Sequence, residues 1–77
     1  MLEKYRQIFI KVLELDNEEA VKSASFDKND NWDSFTQMEL LVNLEEEFDI
    51  TFNAEEVLEL LSFDDGIKLL RKKGVDI

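Results

Sequence analysis

Residues 34–48 place apolar side chains at helical spacing, and this pattern begins at an Asp-Ser pair, Asp33 and Ser34. Both residue types are preferred at helix N-termini, because their side-chain oxygens accept backbone N–H groups that the first turn leaves unpaired. Gln37 follows Ser34 at the spacing of a capping box, so either Ser34 or Asp33 can be the N-cap. The segment predicts a helix that begins at residues 33–34 and ends near Phe48.

Three further stretches have helical patterns, and a chain with no proline and two glycines suits a helical domain. Residues 2–15 repeat apolar side chains at helical spacing. Asn53 opens a short helix through an N-x-x-E cap, and Ser62 caps a last helix that Gly74 ends. Residues 16–33 form a long connection, in which residues 18–23 can make a helical turn and Phe26 is expected to insert into the core.

These patterns predict an all-α fold in one domain spanning residues 1–77. The architecture is a small four-helix bundle, with three longer helices, one short helix and a long loop between the first and second helices.

The second predicted helix has two apolar faces when successive residues are advanced by about 100°. The inner stripe, which is wide enough to face a core, consists of Leu40, Leu41, Leu44 and Phe48. The outer stripe lies beside Ser34 and consists of Phe35, Met38 and Val42, with Glu39, Glu45 and Glu46 at its border. A helix on the surface of a monomer needs only one apolar face, so the outer stripe predicts a docking surface for a basic-rimmed groove. The alternative is that Met38 or Val42 packs beneath the long loop or the short third helix.

The charge of the chain is strongly negative and unevenly distributed. The formal net charge is −10, and residues 14–65 hold seventeen of the nineteen acids but only two of the nine bases. Such a field attracts cationic partners and makes nucleic acid a poor one, because phosphate binding needs clustered Lys and Arg. No apolar run is long enough for a membrane span, and the N-terminus lacks the layout of a signal peptide, so a cytoplasmic protein is expected.

Ser34 has no apparent catalytic partner, because the chain contains no His and no Cys. A serine without a general base is poorly equipped for catalysis, and it is either a plain helix cap or a group that another enzyme modifies. The spacing of Asp27, Asn29, Asn31 and Asp33 imitates the first half of a calcium loop. The required glycine is Trp32 and the twelfth position is Met38, so the sequence predicts no dedicated metal site, although weak divalent binding is plausible.

Two motifs at this helix resemble those of acyl carrier proteins. Asp33-Ser34-Phe35, followed by Met38-Glu39-Leu40, resembles the Asp-Ser-Leu motif that opens the second helix in that family. The run Leu44-Glu45-Glu46-Glu47-Phe48-Asp49-Ile50 resembles the acidic continuation of the family's recognition helix. The likeness extends over nearly the whole chain. Three positions depart from the family pattern: Phe35 replaces a leucine, Trp32 a small residue and Asn53 a proline.

The resemblance implies a carrier rather than an enzyme, with covalent 4′-phosphopantetheine as its cofactor. Ser34 would bear this arm, Asp33 would be its motif partner, and acyl intermediates would be carried as thioesters for fatty acid, polyketide or related specialised biosynthesis. Partner enzymes would contact the outer stripe and its acids: Phe35, Met38, Glu39, Val42, Glu45 and Glu46.

The implied partners are a phosphopantetheinyl transferase and acyl-transferring or condensing enzymes with basic docking grooves. No nucleic acid or membrane partner is expected, and the protein is expected to be a monomer. The alternative function is a small acidic interaction module without a prosthetic group, which binds a basic partner through the same outer face.

Overall fold

The computed structural model describes residues 2–77, in which five helices follow one another. They are α1 (Leu2–Leu13), α2 (Glu18–Lys22), α3 (Ser34–Phe48), α4 (Ala54–Glu59) and α5 (Phe63–Lys72). The predicted all-α fold is confirmed. The four predicted helices are α1, α3, α4 and α5, and the predicted turn in the long connection is the short helix α2, which Asn17 caps by accepting the N–H of Ala20.

The packing of α1 against α3 follows from their apolar stripes. Tyr5, Phe9 and Leu13 recur every four residues along α1, so they lie on one face, and all three are buried. The α3 residues that face the same core are Leu40, Leu41 and Leu44. The inner stripe of the sequence prediction is therefore the core face of α3, with Phe48 partly buried at its end.

Aromatic rings fill the centre of the core and join α1 to α5. The Tyr5 ring lies 4.8 Å from the Phe63 ring, and its hydroxyl donates a 2.5 Å hydrogen bond to the backbone oxygen of Phe63. Burial, together with the nearby carboxylates of Asp64 and Asp65, raises the pKa of Tyr5 well above its usual value. Gly66 makes this approach possible, because a Cβ atom there would clash with the Tyr5 hydroxyl oxygen.

The prediction that Phe26 inserts into the core is wrong, because Trp32 occupies that place. Trp32 is buried, with its ring centroid 5.6 Å from that of Phe9, whereas Phe26 is exposed, with its ring centroid 6.3 Å from that of Trp32. The larger indole buries more apolar surface, and its N–H has a buried acceptor. Phe26 is held through its backbone instead, since its N–H donates to the oxygen of Leu61 at 2.8 Å.

The caps of α4 and α5 are those predicted from the sequence. Asn53 and Glu56 form a complete capping box, in which each side chain accepts the backbone N–H of the other. Ser62 caps α5 by accepting the N–H of Asp65, and Gly74 follows the helix at a positive φ of 89°. Among residues 2–77, no helix has the length and apolar character needed to cross a membrane.

Candidate functional site

Asp33, and not Ser34, is the N-cap of α3. Its backbone is extended, and its carboxylate accepts the N–H of Thr36 at 2.9 Å. This backbone hydrogen bond, with a further one from the Thr36 side chain, lowers the pKa of Asp33, so the carboxylate stays charged at the positive end of the helix. Of the two capping modes that the sequence allows, the structure contains the one centred on Asp33.

Ser34 is the first residue of α3 and its side chain is exposed. Because Asp33 performs the capping, the hydroxyl of Ser34 is not needed to close the helix end. The Ser34 hydroxyl is therefore open to solvent, and the chain has no His or Cys to act as its base.

Gln37 does not reach back to the helix end as a capping box would require. Its buried side chain points inward, where the amide nitrogen donates to the backbone oxygens of Val57 and Leu60, both at 2.9 Å. Its amide oxygen accepts the indole N–H of Trp32. The sequence prediction missed this role, although Gln37 falls within the inner stripe on the helical wheel and is the one polar residue there.

The outer stripe is exposed along its whole length. Phe35, Met38 and Val42 are 76%, 58% and 47% exposed, so the alternative in which Met38 or Val42 packs beneath the loop or the short helix is wrong. With Glu39 and Asn43 these residues line a shallow, mainly apolar groove on the outside of α3. This groove lies on the same helix as Ser34 and begins at the residue that follows it.

The three acids assigned to the border of the outer stripe differ in their surroundings. Glu39 and Glu46 are exposed on α3. Glu45 is half-buried, and its carboxylate accepts the N–H of Phe52 at 2.8 Å, so it also stabilises the connection to α4. Glu39 and Glu46 are therefore the more accessible of the three acids.

A phosphate-linked group fits the residues at Ser34. The attachment oxygen is exposed, the cap does not depend on it, and a long helix directs its N-terminal amides and the positive end of its dipole to this position. Among residues 2–77, no group of three or more potential metal ligands lies close enough together to hold an ion. The surroundings of Ser34 are suited to a covalently attached anionic group.

Comparison with known proteins identifies relatives of this chain. The sequence profile described as "Phosphopantetheine attachment site" matches residues 3–69. Over 73 residues, the chain is 36% identical to the acyl carrier protein of Thermosynechococcus vestitus, covering 95% of this chain and 90% of the relative. It is 33% identical to the acyl carrier protein of Caulobacter vibrioides, covering 95% and 94%, and 32% identical to that of Buchnera aphidicola, covering 95% and 91%.

The profile match over most of the chain, together with the small helical fold, identifies the class of protein. The chain belongs to the acyl carrier protein family. Its cofactor is 4′-phosphopantetheine, and it is a carrier that serves enzymes of acyl biosynthesis rather than an enzyme itself. Of the two functions that the sequence leaves open, the family match selects the carrier over the module without a prosthetic group.

Proposed function

We propose that Ser34 is the attachment point of 4′-phosphopantetheine. The observation that supports this proposal is the division of roles at the entrance of α3, where Asp33 caps the helix and leaves the Ser34 hydroxyl exposed. In the transfer, the Ser34 oxygen bonds to the phosphorus of the coenzyme A pyrophosphate that carries the pantetheine. Adenosine 3′,5′-bisphosphate leaves, and the serine proton passes to a base of the transferase. When bound, the arm supplies a thiol that carries acyl groups as thioesters.

The outer stripe is proposed as the surface that partner enzymes hold. Phe35, Met38 and Val42 supply apolar contact, Glu39 and Glu46 supply charge, and Glu45 both holds the next connection and adds to the same acidic face. The partners are a phosphopantetheinyl transferase and acyl-transferring or condensing enzymes with basic docking grooves, in fatty acid, polyketide or related specialised biosynthesis. Complementary charge mainly accelerates association and selects partners, so these acids are expected to determine which enzymes the carrier meets.

The attachment is tested by incubating the protein with coenzyme A, Mg²⁺ and a phosphopantetheinyl transferase of broad acceptance. We expect a mass gain of about 340 Da, the formula mass of the arm, at Ser34. The Ser34→Ala variant should show no gain, and the Thr36→Ala variant, which removes a hydroxyl two residues away, should still be modified. An adduct on Ser34→Ala protein, or none on the parent chain with several transferases, would contradict the proposal.

The docking face is tested with charge-reversal variants that all have the same net charge as one another. Glu39→Lys and Glu46→Lys should each slow modification by the transferase at low salt, because the charge that attracts its basic groove is inverted. Glu18→Lys, an exposed reversal on α2, changes the net charge equally and should have little effect. Equal slowing by all three variants would assign the effect to overall charge and refute a specific docking face.

A further inference from the structure

A surface groove between α1 and α3 continues the outer stripe toward the first helix. It has a volume of about 500 Å³, and on the α1 side its lining includes Lys4, Ile8 and Lys11. On the α3 side its lining includes Asn43 and Glu46. Asn43 also lines the shallow groove of the outer stripe, so the two grooves meet at this residue. We call the second one the α1–α3 groove.

The α1 side of this groove is cationic. Lys4, Ile8 and Lys11 are spaced four and three residues apart, so they share one face of α1. Both lysines are exposed, and Ile8 is half-buried. Arg6 lies on the opposite face of α1, where it lines a separate pocket with residues of α2. The α1 side of the groove therefore presents one apolar side chain together with two positive charges.

Lys11 forms no ion pair within the part of the chain that the structure describes, although acids lie around it. Lys4 differs, because its ammonium lies 3.4 Å from a carboxylate oxygen of Glu47. Lys11 lines the α1–α3 groove with Glu46, and it lines a neighbouring polar pocket with Glu39. In a chain with a formal net charge of −10, an exposed lysine that these acids leave unpaired is available to a carboxylate from outside.

The same two acids belong to the docking face proposed for α3. Glu39 and Glu46 each share a groove with Lys11, so they lie between the apolar outer stripe and α1. Asn43 lies in the same region and is neutral, and its side-chain amide donates to the backbone oxygen of Glu39 at 2.7 Å. Because the grooves are continuous, a partner that covers the outer stripe and both acids also reaches Lys11.

We propose that the docking surface extends across the α1–α3 groove, and that partner enzymes place a carboxylate opposite Lys11. This inference rests on the docking role proposed for the outer stripe. A partner groove that is basic throughout brings a cation close to Lys11, and like charges brought together at an interface cost free energy. A partner with basic residues for Glu39 and Glu46 and an acid for Lys11 pairs all three charges. Lys11 is therefore a specificity-determining residue, which orients the partner on α3 and disfavours wholly basic grooves.

The proposal is tested by changing Lys11 in the transferase reaction described above. Mass spectrometry of the parent chain first establishes modification at Ser34, so that a missing adduct counts against the attachment and not against Lys11. At an ionic strength of about 0.02 M, Lys11→Glu should lower kcat/KM by about tenfold, because a close charge pair at the interface becomes a repulsion. The loss should appear in KM and not in kcat, and it should shrink at about 0.5 M salt. Lys11→Arg should retain the parent value.

Lys22→Glu is the matched control. Lys22 is exposed and lies in the last turn of α2, as Lys11 does in the last turn of α1, and the two reversals change the net charge equally. A more negative chain is attracted more strongly to a basic partner, so Lys22→Glu should not lower kcat/KM. Equal losses in the two variants would assign the effect to overall charge. No change with Lys11→Glu would place Lys11 outside the contact, and a faster reaction would place a cation opposite it; each of these results overturns the proposal.

The carboxylate on the partner is identified by reversing charges on the transferase. Each Asp and Glu at the border of its docking groove is replaced by Lys, one at a time, and each variant enzyme is assayed with the parent chain and with Lys11→Glu. One enzyme variant should restore most of the rate with Lys11→Glu and slow the reaction of the parent chain. Circular dichroism checks that Lys11→Glu and Lys22→Glu retain their helices. If no reversed enzyme restores the rate, the proposed charge pair is refuted.

Discussion

Gln37 is a single buried polar side chain that connects three parts of the small core. Hydrogen bonds of its side-chain amide join the loop residue Trp32 to the backbone of Val57 and Leu60. The long connection, α3 and α4 therefore meet at this one group. A buried amide is stable only when its donors and acceptors are all paired, which makes such a group specific to one arrangement of its neighbours. Its position one turn after Ser34 means that the entrance of α3 and α4 keep a fixed position relative to each other.

We predict that Gln37→Met lowers the free energy of unfolding by about 2 kcal/mol or more. Methionine has a similar volume but leaves the buried Trp32 N–H without its acceptor and removes the donor to the Val57 and Leu60 oxygens. Urea denaturation followed by Trp32 fluorescence measures the change. Gln7→Met is the matched control, because Gln7 is exposed on α1, and its effect should stay within about 0.5 kcal/mol. Equal effects of the two substitutions would refute the role assigned to Gln37.

At the scale of elements, α4 is a six-residue helix with a polar tertiary contact at each of its two ends. Helices this short are unstable alone, so tertiary contacts must hold them. At the C-terminal end of α4, the amide nitrogen of Gln37 donates to a backbone carbonyl oxygen. Near the N-terminus of α4, the buried carboxylate of Glu56 lies 2.7 Å from the ammonium of Lys73, which directly follows α5. The same ammonium lies 5.4 Å from the centre of the Phe52 ring. The position of α4 is thus set by α3 at one end and by the end of α5 at the other.

The Glu56–Lys73 pair predicts a dependence of stability on pH. The hydrogen bond from Lys73, and next that from the backbone of Asn53, lower the pKa of Glu56 from its ordinary value of 4.5. Because the folded-state pKa lies below the unfolded one, the stabilisation is fully present above pH 4.5 and is lost as the pH falls through the folded-state pKa. The difference in unfolding free energy between the parent chain and Glu56→Gln should therefore be largest near neutral pH and shrink in acid.

Denaturation at a series of pH values measures this difference. Glu55→Gln removes one negative charge at the neighbouring, exposed position and so controls for overall charge. The assignment fails if Glu56→Gln changes the pH dependence no more than Glu55→Gln does.

The features that could be predicted from the sequence are those that depend on residues close together in the chain. The caps at Asn53 and Ser62, the stop at Gly74 and the extent of α3 depend on neighbouring residues, and the structure confirms them. Two features depend on partners twenty or more residues away or across the core. One is that Trp32 and not Phe26 is buried, and the other is that the side chain of Gln37 points into the core. Spacing along one helix identifies which face a residue occupies. It does not identify which of two aromatic residues in a loop fills a cavity formed by other helices.

For the molecule as a whole, the acids are concentrated where few cations can balance them. Residues 14–65 hold seventeen of the nineteen acids, and among residues 2–77 the structure contains three ion pairs, which involve Glu3, Glu47 and Glu56. Most of the acidic charge therefore lies on exposed side chains without a paired cation nearby. Such self-repulsion favours expanded states and weakens the folded one.

We predict that the melting temperature rises when ionic strength is increased from about 0.01 M to 0.15 M, which shortens the screening length from about 30 Å to 8 Å. A stabilisation of about 1 kcal/mol corresponds to roughly 4–8 °C for a chain of this size. Thermal denaturation in NaCl measures the rise. The double variant Asp30→Asn, Glu55→Gln, which removes two exposed charges from the acidic region, should melt higher at low salt and respond less. A flat or falling response of the parent chain would contradict the prediction.

The cap at Asp33 has a thermodynamic consequence for the proposed attachment at Ser34. Because the helix end is closed by the carboxylate of Asp33, a bond formed at the Ser34 oxygen removes no hydrogen bond on which α3 depends. Through the cap, modification therefore has no effect on folding, and the remaining coupling is the favourable interaction of the added phosphate with the positive end of the α3 dipole. The unmodified and modified forms can share one folded structure, and enzymes can distinguish them through the group that Ser34 carries.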